Sequence, residues 1–309
     1  MLAGKTALDL NPYSMIYLLL CIFMNVLVYV NFKLFPKFRI NPTQAIVFNY
    51  FFCVIAGLAL QGSAFDLSGV DWRWIASALA LGVLFIVNFN MISRTTQNFG
   101  IGVASVATKL SLIIPVAVSL FLLPTQFKEF NIWNYAGIAL ALPAVVLGSY
   151  QKGERRKSAG IAVLPFLVFF LSGTIDAFLN ISNFYYVGPR HEPAFLILIF
   201  LCASAIGGCW LAVKRRKVEF KSVLGGLFLA LPNFLALLFL MRSLRAFNND
   251  GSLVYPPVNM GVIALAFVVS TAFFKESPGR LNIAGIALSL ISIALIFHQE
   301  LIGLLRGGF

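Results

Sequence analysis

Phe127-Lys128-Glu129, followed after six residues by Ala136-Gly137-Ile138-Ala139-Leu140, returns in the second half of the chain. There it reads Phe274-Lys275-Glu276, followed after seven residues by Ala284-Gly285-Ile286-Ala287-Leu288. The copies lie 147–148 residues apart in a chain of 309. Arg94 and Arg242, then Phe99 and Phe247, repeat at the same offset of 148. Each half therefore closes on one pattern, which divides the chain into residues 1–150 and 151–309. In a membrane protein, two related halves point to a transporter with its binding site between them.

The surrounding composition supplies the membrane. Hydrophobic residues make up 60 % of the chain and charged residues 11 %. A soluble domain is nearer half apolar and a quarter charged. The apolar residues come in runs of about 17–21, enough to cross a hydrocarbon core about 30 Å thick. Ten spans fit, near 13–31, 43–61, 73–93, 102–122, 131–149, 161–181, 193–213, 222–241, 252–272 and 281–298. The expected fold is an all-α membrane protein of ten transmembrane helices. Five spans per half is an odd number, so the halves enter from opposite faces as inverted repeats.

The net charge of +12 would suggest nucleic acid in a soluble protein. Here the basic residues sit in short loops, where they orient the chain and meet lipid phosphates. Fifteen Lys and Arg fall in the odd-numbered loops and seven in the even loops and termini. Lys109 lies within a span and completes the 23. The excess places the odd loops in the cytoplasm and both termini outside. Cys21, Cys53, Cys202 and Cys209 all fall within spans and form no CxxC pair, so they read as buried thiols.

The pattern resembles the drug/metabolite transporter superfamily, in its EamA-type branch of two five-helix repeats. Pro115, Glu129, Gly137 and Leu140 carry the resemblance in the first half, and Glu276, Gly285 and Leu288 in the second. It covers about residues 13–298. It implies a secondary transporter, often an exporter of amino acids, other small metabolites or drugs, in a bacterial inner membrane. By the same resemblance the cavity lies among spans 1, 3, 4, 6, 8 and 9, with spans 5 and 10 peripheral and both termini cytoplasmic. The charge count and the resemblance thus give opposite orientations.

Within the spans, ionisable residues are the candidates for function, because a charge at mid-helix costs about 2.5–3.5 kcal/mol by insertion scales. Lys109 sits about two turns into span four and is a candidate for binding a carboxylate or phosphate. Asp176, the one acid deep in a span, is the candidate for ion coupling or a substrate amine, with Asn180 one turn on. About 12 Å along the membrane normal separates the two charges at 1.5 Å per residue, so no direct pair is expected. Asn25, Asn49, Asn88, Tyr255 and Asn259 complete the candidate substrate site, since such groups need partners that lipid does not offer. Tyr255-Pro256-Pro257 suggests a broken start to span nine. Glu129 and Glu276 read as structural, each capping the next helix.

No GxxxxGK[ST] loop is present, and no metal or cofactor is expected. The expected partners are a small-molecule substrate, membrane lipids and a coupling proton or cation. A second copy of the chain is a further candidate, and nucleic acid is not. An antiporter of organic phosphates or nucleotide sugars is the alternative on this fold. A membrane enzyme or lipid-handling protein ranks lower, because His191 and His298 lie at span ends and far apart in sequence.

Overall fold

A computed structural model describes residues 12–61, 70, 72–122, 131–150, 159–182, 185–186, 191–215, 217–247, 251–299 and 301–302. The chain forms α1 (Pro12–Leu34), α2 (Pro42–Gln61), α3 (Trp72–Phe99), α4 (Ile101–Leu110), α5 (Ile113–Leu122) and α6 (Ile132–Ser149). It continues with α7 (Ala159–Ala162), α8 (Leu164–Ser182), α9 (Glu192–Val213), α10 (Phe220–Ala246), α11 (Gly251–Ala272) and α12 (Arg280–Ile296). Among the described residues, eight helices are long and apolar enough to cross a membrane. The other two expected spans, 102–122 and 281–298, correspond to shorter apolar helices. At most 50 % of any long span is buried within the protein, and its outer faces carry residues such as Phe23, Phe51, Phe170 and Phe228. Such faces suit a hydrocarbon environment, as in a multi-pass membrane protein.

Backbone chemistry sets the breaks. Pro115 has no N–H to return to the carbonyl of Ser111, and the helix is interrupted at Ser111-Leu112. Pro165 does the same to Ile161, and Val163 separates α7 from α8. Pro256 and Pro257 behave differently. They lie inside a continuous α11 that begins at Gly251, so the broken start expected there is absent. Their missing N–H groups fall in the second turn and leave the carbonyls of Ser252 and Leu253, near the helix start, without their usual donors. The interruption occurs in the matching stretch of the first half instead, beside Lys109.

The helices that carry the repeated Ala-Gly-Ile-Ala-Leu segments face one another, each segment lying against the far end of the other helix. α6 and α12 pack antiparallel, Gly137 against Ser292 and Ile296, and Gly285 against Gly148. A Cβ on Gly137 would stand 2.7 Å from the Ser292 carbonyl oxygen, and one on Gly285 would stand 2.6 Å from Gly148 Cα. Only a bare α-carbon permits that approach. The Ser292 hydroxyl donates to the Gly137 carbonyl at 2.7 Å. Asn134 Nδ2 donates to the Ile296 carbonyl at 2.5 Å, and Asn282 Nδ2 donates to the Gly148 carbonyl at 2.7 Å. A shift of 148 residues carries Asn134 to Asn282 and Gly148 to Ile296, so the two bonds exchange. Both asparagines also accept from the backbone three residues upstream, at Asn131 N (2.8 Å) and Gly279 N (2.9 Å), and so cap their own helices.

The other packings follow the same rule. α1 packs on α10 as α3 packs on α8, and α2 packs on α10 as α3 packs on α9. α1 meets α11 as α4 meets α8. α2 with α9, and α4 with α11, are their own counterparts. The interior is filled by apolar clusters centred on α1, α2, α10 and α11, on α4, α6 and α12, and on α3, α8 and α9.

Five chain links meet at one end of the bundle. Asn41 N donates to Ser222 Oγ at 3.0 Å, Gln44 Nε2 to the Lys217 carbonyl at 2.8 Å, and Glu219 N to Gln44 Oε1 at 3.1 Å. Lys33 forms an ion pair with Glu276, whose carboxylate also accepts from Ile101 N at 3.3 Å. Asn282 Nδ2 donates to the Tyr150 carbonyl at 3.0 Å. Trp74 Nε1, in the first turn of α3, donates to the Tyr186 carbonyl between α8 and α9 at 2.9 Å, and the Asn131 amide before α6 meets His298 Nε2 after α12 at 3.0 Å.

Glu276 therefore does not cap the helix that follows it. It caps α4 from another part of the sequence, where a negative charge suits the N-terminal N–H groups. Gly100, at φ 96°, lets the chain turn there, and a Cβ at that position would run into the Glu276 carboxylate. Glu129 lies outside the described residues, as does the segment 151–158.

Candidate functional site

One face of α1 supplies the frame. Cys21, Asn25 and Tyr29 recur every four residues and so line up along that helix. Lys109, in the last turn of α4, donates from Nζ to Asn25 Oδ1 at 2.7 Å. Asn25 Nδ2 donates to the Cys21 carbonyl at 2.9 Å. The hydroxyls of Tyr29 and Thr108 share a hydrogen bond one residue away. Thr108 also donates to the Ala104 carbonyl at 2.9 Å, and Ser111 Oγ donates to the Thr108 carbonyl at 2.6 Å. The helix interruption at Ser111-Leu112 thus places Lys109 at a half-helix C-terminus. There its positive charge is favoured by the carbonyl ends.

α8 supplies the opposing charge. Gly173 packs on Ile114, where a Cβ would stand 2.7 Å from the Ile114 Cβ, and this holds α8 tightly against α5. Ser172 and Asp176 follow on one face, four residues apart. Asn88 Nδ2, from α3, donates to Ser172 Oγ at 2.9 Å. Asn88 Oδ1 is buried with no partner among the described residues. A dry, unpaired amide oxygen costs about 1–3 kcal/mol, so a donor from water or solute is favoured there.

Asp176 is exposed, although it lies well inside α8. Lys109 is half-buried, and it and Asp176 attract one another, yet no ion pair joins them.

The remaining candidates divide. Asn25 and Lys109 are bonded directly, and Asn88 joins the Asp176 side through Ser172. Asn49 sits elsewhere, fully buried between α2 and α10, where its Oδ1 accepts from Asn233 Nδ2 at 3.3 Å and Cys53 Sγ at 3.8 Å. Tyr255 and Asn259 share a face of α11, which packs on α1 and α4; Tyr255 is exposed and Asn259 buried. Asn180 belongs to α8, and its side chain lies outside the described residues. Tyr29, Ser172 and Cys21 are additions to the site. Their signal in the sequence was the four-residue spacing of Cys21, Asn25 and Tyr29, and of Ser172 and Asp176. Cys21 and Cys53 are buried thiols as expected, whereas Cys209 is exposed on the apolar outer face of α9.

No protein-family model matches the chain. An uncharacterized protein of Haemophilus influenzae is 28 % identical over 298 residues, spanning 93 % of this chain and 98 % of that protein. One crystal structure of a protein superposes with a TM-score of 0.59 at 14 % identity, over 92 % of this chain and 96 % of the other. The chain therefore shares its overall fold with a protein of known structure along nearly its full length.

Proposed function

We propose that this protein is a secondary active transporter of small polar metabolites, built as two inverted five-helix repeats of the EamA type within the drug/metabolite transporter superfamily. The observation that carries this reading is the Lys109–Asp176 pair: two opposite charges inside spans, attracting but unjoined, with Asp176 accessible. Charges cost too much in a span to persist as packing alone. The exchange of the Asn134–Ile296 and Asn282–Gly148 bonds under a 148-residue shift supports the repeat, and the antiparallel α6 and α12 support its inversion. The gathering of links after α1, α3, α6, α9 and α11 at one end supports ten crossings. That end carries most of the basic residues and is assigned to the cytoplasm.

In this reading the halves rock about the cavity and expose it to one face at a time. Lys109, steered by Asn25, receives the anionic group of a solute. Asp176 binds and releases the coupling proton or an amine. Export of amino acids or related compounds is the favoured direction and class. The test is flux of a labelled solute panel, organic phosphates included, in proteoliposomes. Lys109→Ala and Asp176→Asn are expected to reduce flux to the level of empty vesicles while eluting as folded protein. Flux equal to wild type in both variants would overturn the assignment.

A further inference from the structure

A second site lies on the outer surface, away from the charged pair. α2 and α9 leave a groove of about 320 Å³ between Val47, Phe48 and Phe51 on one side and Ser204, Gly208 and Leu211 on the other. It ends at Arg215 and Val218. Gly207 and Gly208 divide two tasks. A Cβ on Gly207 would run into Val47 and Ile86, so that glycine lets the helices approach. A Cβ on Gly208 would meet nothing within 4 Å, so that glycine leaves the groove open.

From Ser204 to the end of α9 at Val213 the groove follows the helix for about 14 Å at 1.5 Å per residue, with Arg215 just beyond. This is about half of a 30 Å hydrocarbon core, the depth of one leaflet. Its walls are apolar along that length, and its mouth is basic. Lys214, Arg215 and Lys217 are exposed there, and residues 214–221 hold five basic side chains against the one acid Glu219. The mouth is fixed in place, because Gln44 at the start of α2 bonds both the Lys217 carbonyl and Glu219 N. Apolar walls one leaflet deep under a held cationic rim match a phospholipid with an anionic headgroup: the acyl chain fits the groove and the phosphate fits the rim.

We infer that the α2–α9 groove is a binding site for an anionic phospholipid, distinct from the cavity of Lys109 and Asp176. The test uses the full chain in detergent micelles, with lipid retention read by native mass spectrometry. Phosphatidylglycerol, phosphatidylcholine of the same acyl chains, and inorganic phosphate are the probes. Phosphatidylglycerol is expected to be retained in preference to phosphatidylcholine, and inorganic phosphate is expected not to displace it at equal concentration. Gly208→Leu fills the groove and is expected to abolish the preference, while Gly208→Ala keeps it. The double variant Lys214→Gln/Arg215→Gln leaves the groove intact and is expected to weaken retention about 30-fold at low salt. Equal retention of both lipids, or full preference in the charge variant, would overturn the site. Displacement by inorganic phosphate would also overturn it, because the groove would then take no part.

Discussion

Replacing Asn134 or Asn282 by Ala tests the symmetry of the fold at the α6–α12 joint. Each asparagine holds the other half through one amide and caps its own helix through the other end. A side-chain hydrogen bond between membrane helices averages about 0.6 kcal/mol, with a maximum near 1.7. Loss of a helix cap costs about 1 kcal/mol. Each substitution is therefore expected to destabilise by about 2 kcal/mol. The two sites lie about 21 Å apart along α6, fourteen residues at 1.5 Å each. At that distance their effects add, so the double variant loses about 4 kcal/mol. Reversible unfolding in mixed micelles with rising denaturing detergent gives the three values. A difference above about 1.5 kcal/mol between the single variants would refute an equivalent role. No loss in either would refute the joint itself.

Two further outcomes follow at the five-link end. Gly100→Ala forces a residue into a backbone region that side chains avoid, at about 1–3 kcal/mol, and drives a methyl group into the Glu276 carboxylate. Its melting temperature should fall, and Glu276→Ala in the same chain should recover part of the loss; no recovery would remove the steric half of the argument. A double-mutant cycle of Lys33→Met and Glu276→Gln should give a coupling of about 1–3 kcal/mol, since both side chains are largely buried and Glu276 also meets Ile101 N. A coupling near zero would mean that the pair does not hold α1 to the α11–α12 link.

The repeat was legible because it is written in residue types that packing demands. Gly137 and Gly285 must be glycine where two backbones touch, and Asn134 and Asn282 must reach across them. Lys109 and Asp176 were legible because charges inside apolar runs have few uses. The helix interruption was harder to place. Pro115 and Pro256-Pro257 carry the same local signal, yet the helix is interrupted before Pro115 and runs unbroken through Pro256 and Pro257. Asn49 and Asn88 look alike in sequence, yet one meets Asn233 in a helix interface and the other meets Ser172 beside Asp176. Helix rotation separates them, and span boundaries good to a few residues do not fix rotation. Glu276 reaches α4 across 175 residues, a partner that no local pattern announces.

The central claim is that Asp176 lines a polar cavity opening to both faces of the membrane. Asp176→Cys, in a chain whose four native cysteines are replaced by Ala, tests it through reaction with a charged, membrane-impermeant thiol reagent. Phe170→Cys on the apolar outer face of α8 serves as the control. The account predicts that position 176 reacts when the reagent is added from either side of oriented vesicles, while position 170 reacts from neither. No reaction at position 176 from either side would contradict it.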